Sequence, residues 1–158
     1  MGQYSTPILG QNSKPIDKAV WKAWTDPTRL TLWWGPERFT SPECRIDLRV
    51  GGKYLFCMRS PEGEDYWSTG VYLDIVPMKR IVCTDSFADE EGNLVAASYY
   101  GMRVYWPLEL VVTVTFEEED GKTVMTLRHD GIPRNMKGVC EAGWSGSFDK
   151  LAESLKQG

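Results

Sequence analysis

The sequence lacks the features that nucleic-acid-binding, membrane-spanning and secreted proteins require. Its formal net charge is −4, so it carries no basic excess for nucleic acid or an anionic membrane. No apolar run approaches the roughly 20 residues of a transmembrane helix. The first residues, MGQYSTPILGQNSK, have neither the basic region nor the apolar block of a secretory signal. These absences predict a soluble, cytoplasmic protein that binds neither nucleic acid nor membrane.

Metal ligands and nucleophile motifs are also scarce. The chain has a single histidine, His129, and four scattered cysteines without a Cys-x-x-Cys pair. The pair Gly51-Gly52 precedes a strand rather than a helix, so it is not a phosphate-binding loop. We therefore expect no metal and no cofactor, and we interpret the cysteines as buried reduced thiols.

Aromatic residues, in contrast, are abundant. The chain contains seven Trp and seven Tyr among 158 residues, a length that suits one domain over residues 1–158. Large rings either fill a core or line a cavity. The sequence RLTLWWGP places Trp33 beside Trp34, and neighbouring helical side chains diverge, so both rings cannot enter one core stripe. We expect one of them to be buried and the other to lie near a cavity mouth.

Two short helices are predicted near the N-terminus. The first begins after Pro15 and buries Val20 and Trp24. The second is capped by Asp26, starts with Pro27 and runs to Trp34. Before them, QYSTPILGQNS is expected to form at most a short strand with Pro7 at a sheet edge.

About six strands follow, and their alternation predicts one inward face. Gly51-Gly52 is predicted to form a tight hairpin turn between the first two of them. The residues expected to face inward are Cys44, Ile46, Leu48, Val50, Tyr54, Phe56, Met58, Trp67, Thr69, Val71, Leu73, Ile75, Ile81, Cys83, Asp85, Phe87, Leu108, Leu110, Val112, Val114, Phe116, Met125, Leu127 and His129.

A closing helix is predicted over residues 135–157, with Met136, Cys140, Trp144 and Phe148 at helical spacing. It alone is long enough to cover the apolar face of the sheet. Gly143 and Gly146 lower its helix propensity by ~1 kcal/mol each. Either the helix approaches the sheet closely there, or the missing side chains leave room for a ligand under Trp144.

Several motifs resemble one family. VWKAWTDPTRLTLWWGP, DLRVGGKY, YYGM, DGKTVMTLRHDGIP and AGWSGSFDKLAESL are similar, in this order, to the activator-of-heat-shock-protein-90-ATPase homologue-like branch of the START-like (SRPBCC) superfamily. The resemblance implies an α+β helix-grip fold: a curved antiparallel sheet of six or seven strands wraps a long C-terminal helix and encloses an apolar cavity.

Catalysis is not expected. A buried Asp85 and His129 are chemically suited to act as acid and base. However, their strands are not neighbours in the implied sheet, and neither residue lies beside a nucleophile. We therefore assign no catalytic residue.

The long connection over residues 89–107 is rich in aromatic residues, including Tyr100, and also carries Met102. Such apolar side chains on a surface loop need a partner. We expect a lid over the cavity or a contact within a homodimer rather than inert packing.

The sequence favours a binding protein for a small apolar or aromatic ligand over an enzyme. The alternatives are a cyclase- or hydrolase-like enzyme acting on a hydrophobic substrate in the same cavity, and a co-regulator of a chaperone ATPase. A chaperone partner is not expected, because the chain has no room for the separate chaperone-binding domain of the family's namesake. The predicted ligand-binding residues are Trp33, Trp34, Tyr54, Phe56, Met58, Trp67, Val71, Asp85, Tyr100, Met102, His129, Met136, Cys140 and Trp144.

Overall fold

A computed structural model describes residues 2–8 and 18–157, with side chains from residue 18 to residue 156. The strands are β1 (Gly2–Ile8), β2 (Cys44–Ile46), β3 (Lys53–Arg59), β4 (Asp65–Val76), β5 (Arg80–Ala88), β6 (Leu110–Glu119) and β7 (Lys122–Asp130). The helices are α1 (Lys18–Thr25), α2 (Pro27–Leu30) and α3 (Lys137–Gln157). Short 3₁₀ turns occur at Ala97–Tyr100 and Arg134–Met136.

The seven strands form one curved antiparallel sheet in the order β1-β7-β6-β5-β4-β3-β2. One face of α3 packs into the core through Trp144, Phe148, Leu151 and Leu155, together with α1 and α2. This arrangement confirms the predicted helix-grip fold. It also places β5, β6 and β7 side by side under the first half of α3, where the candidate site lies.

The prediction of which side chains face inward is correct for β3. With one exception, it is also correct for the three strands β5, β6 and β7. Tyr54 and Phe56 on β3 are buried, as are Val112, Val114 and Phe116 on β6. Leu108 is the exception, because β6 begins only at Leu110 and Leu108 is exposed. Alternation is reliable here because each of these strands buries one face against the same core.

The face predicted for β4 is wrong over most of its length. Gly70 pairs with Tyr54 and Ser68 with Phe56, so these residues share the inner face, while Trp67 and Val71 lie on the other face. The register then shifts between Tyr72 and Asp74, which leaves Tyr72 and Ile75 in the core but Leu73 exposed. A Cβ on Gly70 would collide with the Thr84 backbone carbonyl and with the Tyr54 ring, so this inward position requires glycine.

The strand predicted over residues 44–50 is also too long. β2 ends at Ile46, and Leu48 and Val50 are exposed in the following turn. That turn spans residues 47–52, which is wider than a tight hairpin. Gly51 adopts φ +86°, a conformation that L side chains rarely adopt.

The N-terminal elements follow the prediction in outline. Asp26 caps α2, its carboxylate accepting from the backbone N–H of Thr28 at 2.9 Å. The helix itself is four residues long, and backbone hydrogen bonds from Trp33 and Trp34 to Leu30 continue the turn. β1 pairs with β7 at the edge of the sheet over seven residues, so Pro7 is tolerated there. Pro15, where the first helix was expected to begin, lies outside the described residues.

The four cysteines, Cys44, Cys57, Cys83 and Cys140, are free. None of the helices within the described ranges is long and apolar enough to cross a membrane.

Candidate functional site

A small cavity lies between the sheet and the helices. Its volume is about 50 Å³. Its lining is aromatic and aliphatic with one carboxylate: Trp24, Trp34, Tyr54, Phe56, Tyr72, Ile81, Cys83, Asp85, Val112, Val114 and Trp144. Trp34, Cys83, Asp85 and Trp144 are only partly buried, so they are the lining residues closest to solvent.

The two adjacent tryptophans are divided between core and cavity. Trp33 is fully buried, packs edge-on against Trp24 and donates its indole N–H to the Ala23 carbonyl at 2.9 Å. Trp34 lines the cavity, with its ring centroid 4.8 Å from that of Phe56 and 5.7 Å from that of Trp144. The sequence predicts this division, and the structure shows that Trp34 is the ring at the cavity.

The residues after Trp34 are fastened to α3. The Ser147 hydroxyl donates to the Gly35 carbonyl at 2.7 Å, and the Lys150 ammonium donates to the carbonyls of Pro36 and Phe39 at 2.9 and 3.0 Å. A Cβ on Gly146 would lie 2.8 Å from the Glu37 backbone nitrogen. The glycines of α3 therefore permit a close approach, but to this loop rather than to the sheet.

Gly143 and Gly146 do not leave space for a ligand. The atom nearest to a Cβ on Gly143 would be Pro36 Cγ at 3.7 Å, and neither glycine lines the cavity. Of the two explanations that the sequence left open, close packing is the one that the geometry supports. Fixing the loop against α3 also fixes the position of Trp34 against Trp144.

The polar part of the site is a chain of three side chains. The indole N–H of Trp144 donates to His129 Nδ1 at 3.2 Å, and His129 Nε2 lies 2.9 Å from Asp85 Oδ2. Because an indole N–H only donates, Nδ1 accepts and carries no proton, which leaves the proton of the neutral imidazole on Nε2. The predicted separation of their strands, β5 and β7, is confirmed, but the side chains of Asp85 and His129 nevertheless meet.

They meet because both side chains reach across β6. Asp85 pairs with Leu110 and His129 with Val112, so one strand separates their backbones. The curvature of the sheet brings side chains on its inner face together, and curvature cannot be deduced from alternation in one sequence. Despite this short distance, Nε2 is one of the buried polar atoms of the described residues that lack a hydrogen bond.

This geometry limits what the histidine can do. Nδ1 is occupied by Trp144, Nε2 faces Asp85, and His129 itself does not line the cavity. Asp85 is the lining residue that carries a charge. The chain therefore positions a carboxylate at an aromatic cavity rather than presenting an imidazole to a ligand.

The cavity strongly disfavours additional negative charge. Burial, followed by the charges of Cys83 and Asp85, raises the pKa of Tyr54 well above its ordinary value. Burial, with a smaller contribution from Asp85, raises the pKa of the Cys83 thiol to about 12. Tyr54 instead donates its hydroxyl proton to the Thr84 carbonyl at 2.7 Å. Both groups therefore stay neutral beside the carboxylate.

Five of the predicted site residues line the cavity: Trp34, Tyr54, Phe56, Asp85 and Trp144. The others do not, namely Trp33, Met58, Trp67, Val71, Tyr100, Met102, His129, Met136 and Cys140. Six further residues line the cavity that were not among the predicted site residues, namely Trp24, Tyr72, Ile81, Cys83, Val112 and Val114. The alternation of β5 and β6 had already predicted that Ile81, Cys83, Val112 and Val114 face inward.

The aromatic connection between β5 and β6 packs at the end of β4 and β5. The Tyr100 hydroxyl accepts from the Trp67 backbone N–H at 3.0 Å and donates to the Ala88 carbonyl. Its ring contacts Tyr66 and Phe87 at centroid distances of 5.2 and 5.7 Å. No residue of the segment lines the cavity, although Tyr99 and Tyr105 are largely exposed. Contact with a second subunit stays a prediction.

Within the part of the chain that the structure describes, no group of three or more His, Cys, Asp or Glu side chains is arranged to hold a metal ion.

Comparison with known proteins identifies the family of the chain and proteins of similar fold. A family model described as "Activator of Hsp90 ATPase homolog 1-like protein" matches residues 16–156. A crystal structure of a Chromobacterium violaceum protein is 26% identical, with a TM-score of 0.72, and the match covers 97% of this chain and 96% of that one. An AHSA1 protein from Silicibacter pomeroyi is 23% identical with a TM-score of 0.70, covering 99% of each chain.

A Nitrosomonas europaea protein is 23% identical with a TM-score of 0.73, and the match covers 99% of this chain and 94% of that one. Similarity at these identities establishes the fold. A comparison with curated proteins found no match.

Proposed function

The chain belongs to the activator of Hsp90 ATPase homolog 1-like family, and we propose that it binds a small apolar or aromatic ligand in the cavity between its sheet and α3. The observation that carries the proposal is the lining itself, which combines six aromatic rings and several aliphatic side chains with one carboxylate. Ligand sites are mostly apolar with a few polar groups that set orientation.

The cavity volume limits the size of the ligand. At about 50 Å³ it is larger than the ~10–15 Å³ that one water needs and smaller than the ~150 Å³ of an engineered cavity that binds benzene. A ligand larger than a few atoms requires side chains to move. Trp34 and Trp144 are partly exposed, so a larger ligand would extend past these two rings, while Trp24 and Tyr72 are held in the core.

The proposal is tested by what the purified protein carries and accepts. Protein is denatured and the extract is analysed by mass spectrometry, and the folded protein is screened by thermal shift against lipids and small aromatic molecules. A ligand recovered from the protein, or stabilisation by panel members, supports the proposal. Protein that is reproducibly empty and that no panel member stabilises would refute it.

Two variants that add the same ring in different places, one in the cavity and one on the surface, test whether the cavity is the binding site. Val112 lines the cavity, whereas Val139 lies exposed on α3. Val112→Phe places a ring in the cavity and is expected to abolish binding, while Val139→Phe adds the same ring to the surface and leaves it intact. Val114→Ile, a smaller filling of the same cavity, serves where Val112→Phe does not fold. Equal binding by the Val112→Phe and Val139→Phe variants would show that the ligand binds outside this cavity.

An enzyme acting on a hydrophobic substrate is the second candidate, favoured by the 2.9 Å contact between Asp85 and His129. In this arrangement Asp85 would act as the general base and His129 would orient it. Turnover of a hydrophobic ester or lactone that Asp85→Asn abolishes would support catalysis. Unchanged turnover in that variant would exclude the pair from it.

The remaining predictions stand on the sequence alone. A cytoplasmic location and a homodimer are expectations, as is a single domain over residues 1–158. A role as a chaperone ATPase co-regulator ranks third and is tested by adding the protein to an Hsp90-type chaperone. An unchanged ATPase rate would remove it.

A further inference from the structure

The carboxylate of Asp85 has no cationic partner among the described residues. Among the described residues, the only basic side chain within ion-pair distance is His129, whose Nδ1 accepts the indole N–H of Trp144. No Lys or Arg side chain of the described residues therefore offsets the negative charge that Asp85 brings to the cavity.

That negative charge lies in an aromatic enclosure. Trp24, Trp34, Tyr54, Phe56, Tyr72 and Trp144 all line the same cavity as Asp85. The faces of aromatic rings attract cations, by roughly 0.5–1 kcal/mol at exposed sites and about 2 or more where water is excluded, and aromatic cages bind quaternary ammonium ligands. A carboxylate adds Coulomb attraction, which is stronger away from bulk water. Rings and carboxylate thus favour the same kind of ligand.

We propose that the cavity binds the ammonium group of a small organic cation, with Asp85 as counter-ion and the surrounding rings as its cage. This inference rests on the proposed function and specifies the ligand's chemistry. The volume of about 50 Å³ suits a head group of a few heavy atoms. The apolar remainder of the ligand then extends past Trp34 and Trp144, the partly exposed rings at the solvent side.

Three molecules of similar size and different charge test the inference. Isobutylammonium, isobutanol and isobutyrate are each titrated into ¹⁵N-labelled protein, and the indole N–H resonance of Trp144 reports binding. We expect isobutylammonium to bind at least tenfold more tightly than isobutanol, and isobutyrate to bind most weakly. Asp85→Asn should bring the ammonium and the alcohol to equal affinity.

Asp47→Asn is the matched control, because it removes the same formal charge from an exposed turn. It should keep the preference for the ammonium. Equal or tighter binding of isobutanol by the wild type, or a preference that survives in Asp85→Asn, would overturn the inference and leave the proposed function standing. Failure of all three molecules to bind would count against both. The affinities of the wild-type protein for the three molecules test the inference even if Asp85→Asn does not fold.

Discussion

Trp33 and Trp34 show how adjacent residues of one type acquire different roles. Trp33 is fully buried and holds α1 to the following turn through the Ala23 carbonyl. Trp34 points to the cavity and packs on Phe56 and Trp144. The sequence predicts that the rings diverge, but which one enters the core depends on where the turn ends at Gly35, whose φ is +98°.

Truncating the two rings should therefore have unequal effects. Trp33→Ala empties a fully buried site and is expected to lower the free energy of unfolding by about 3–5 kcal/mol. Trp34→Ala should cost less, because its ring is partly exposed and already borders a cavity. Urea denaturation measures both. A larger loss for Trp34→Ala would contradict this assignment of core and cavity.

The buried thiol of Cys57 makes the free energy of unfolding depend on pH under alkaline conditions. Burial raises its pKa from 9.0 to about 12. Between these values the thiol ionises in the unfolded chain but stays protonated in the folded one, so the unfolded state binds fewer protons and stability falls as pH rises. The expected contribution is about 1.4 kcal/mol per pH unit.

Cys57→Ala should flatten the fall in unfolding free energy between pH 9 and 11 by that slope, as measured by urea denaturation at several pH values. A slope identical to that of the wild type would show that this thiol titrates alike in both states.

Among the elements, the strands differ in how far alternation predicted them. β5, β6 and β7 follow a period of two, and five of the inward residues predicted on β5 and β6 line the cavity, namely Ile81, Cys83, Asp85, Val112 and Val114. β4 does not, because Gly70 makes room for the Tyr54 ring and the register shifts after Tyr72. A glycine without an apolar side chain gives no signal of facing inward, and a bulge reverses every residue after it.

The contact between α3 and the loop after Trp34 predicts opposite effects for two similar substitutions. Gly146→Ala places a Cβ 2.8 Å from the Glu37 backbone nitrogen and should destabilise the protein by roughly 1–3 kcal/mol. Gly143→Ala meets only an ordinary contact with Pro36 and should stabilise the helix by up to ~1 kcal/mol. Thermal unfolding of both variants is the measurement. Stabilisation by Gly146→Ala would show that the loop is not held against the helix.

At the scale of the whole molecule, the site depends on curvature. Asp85 and His129 lie on strands that are separated by β6, and the curved sheet brings their side chains within 2.9 Å. The family motifs predicted the fold and therefore the cavity. They did not predict its small volume, which follows from how closely six aromatic rings pack around it.

The seven tryptophans allow a direct test of ligand binding in this cavity. Indole N–H resonances of ¹⁵N-labelled protein are followed while phenol or isobutanol is added. The structure predicts shifts for Trp24, Trp34 and Trp144, which line the cavity, and none for Trp67 and Trp106, which do not. Shifts confined to Trp67 and Trp106, or no shift at any concentration of either probe, would show that neither probe binds in this cavity.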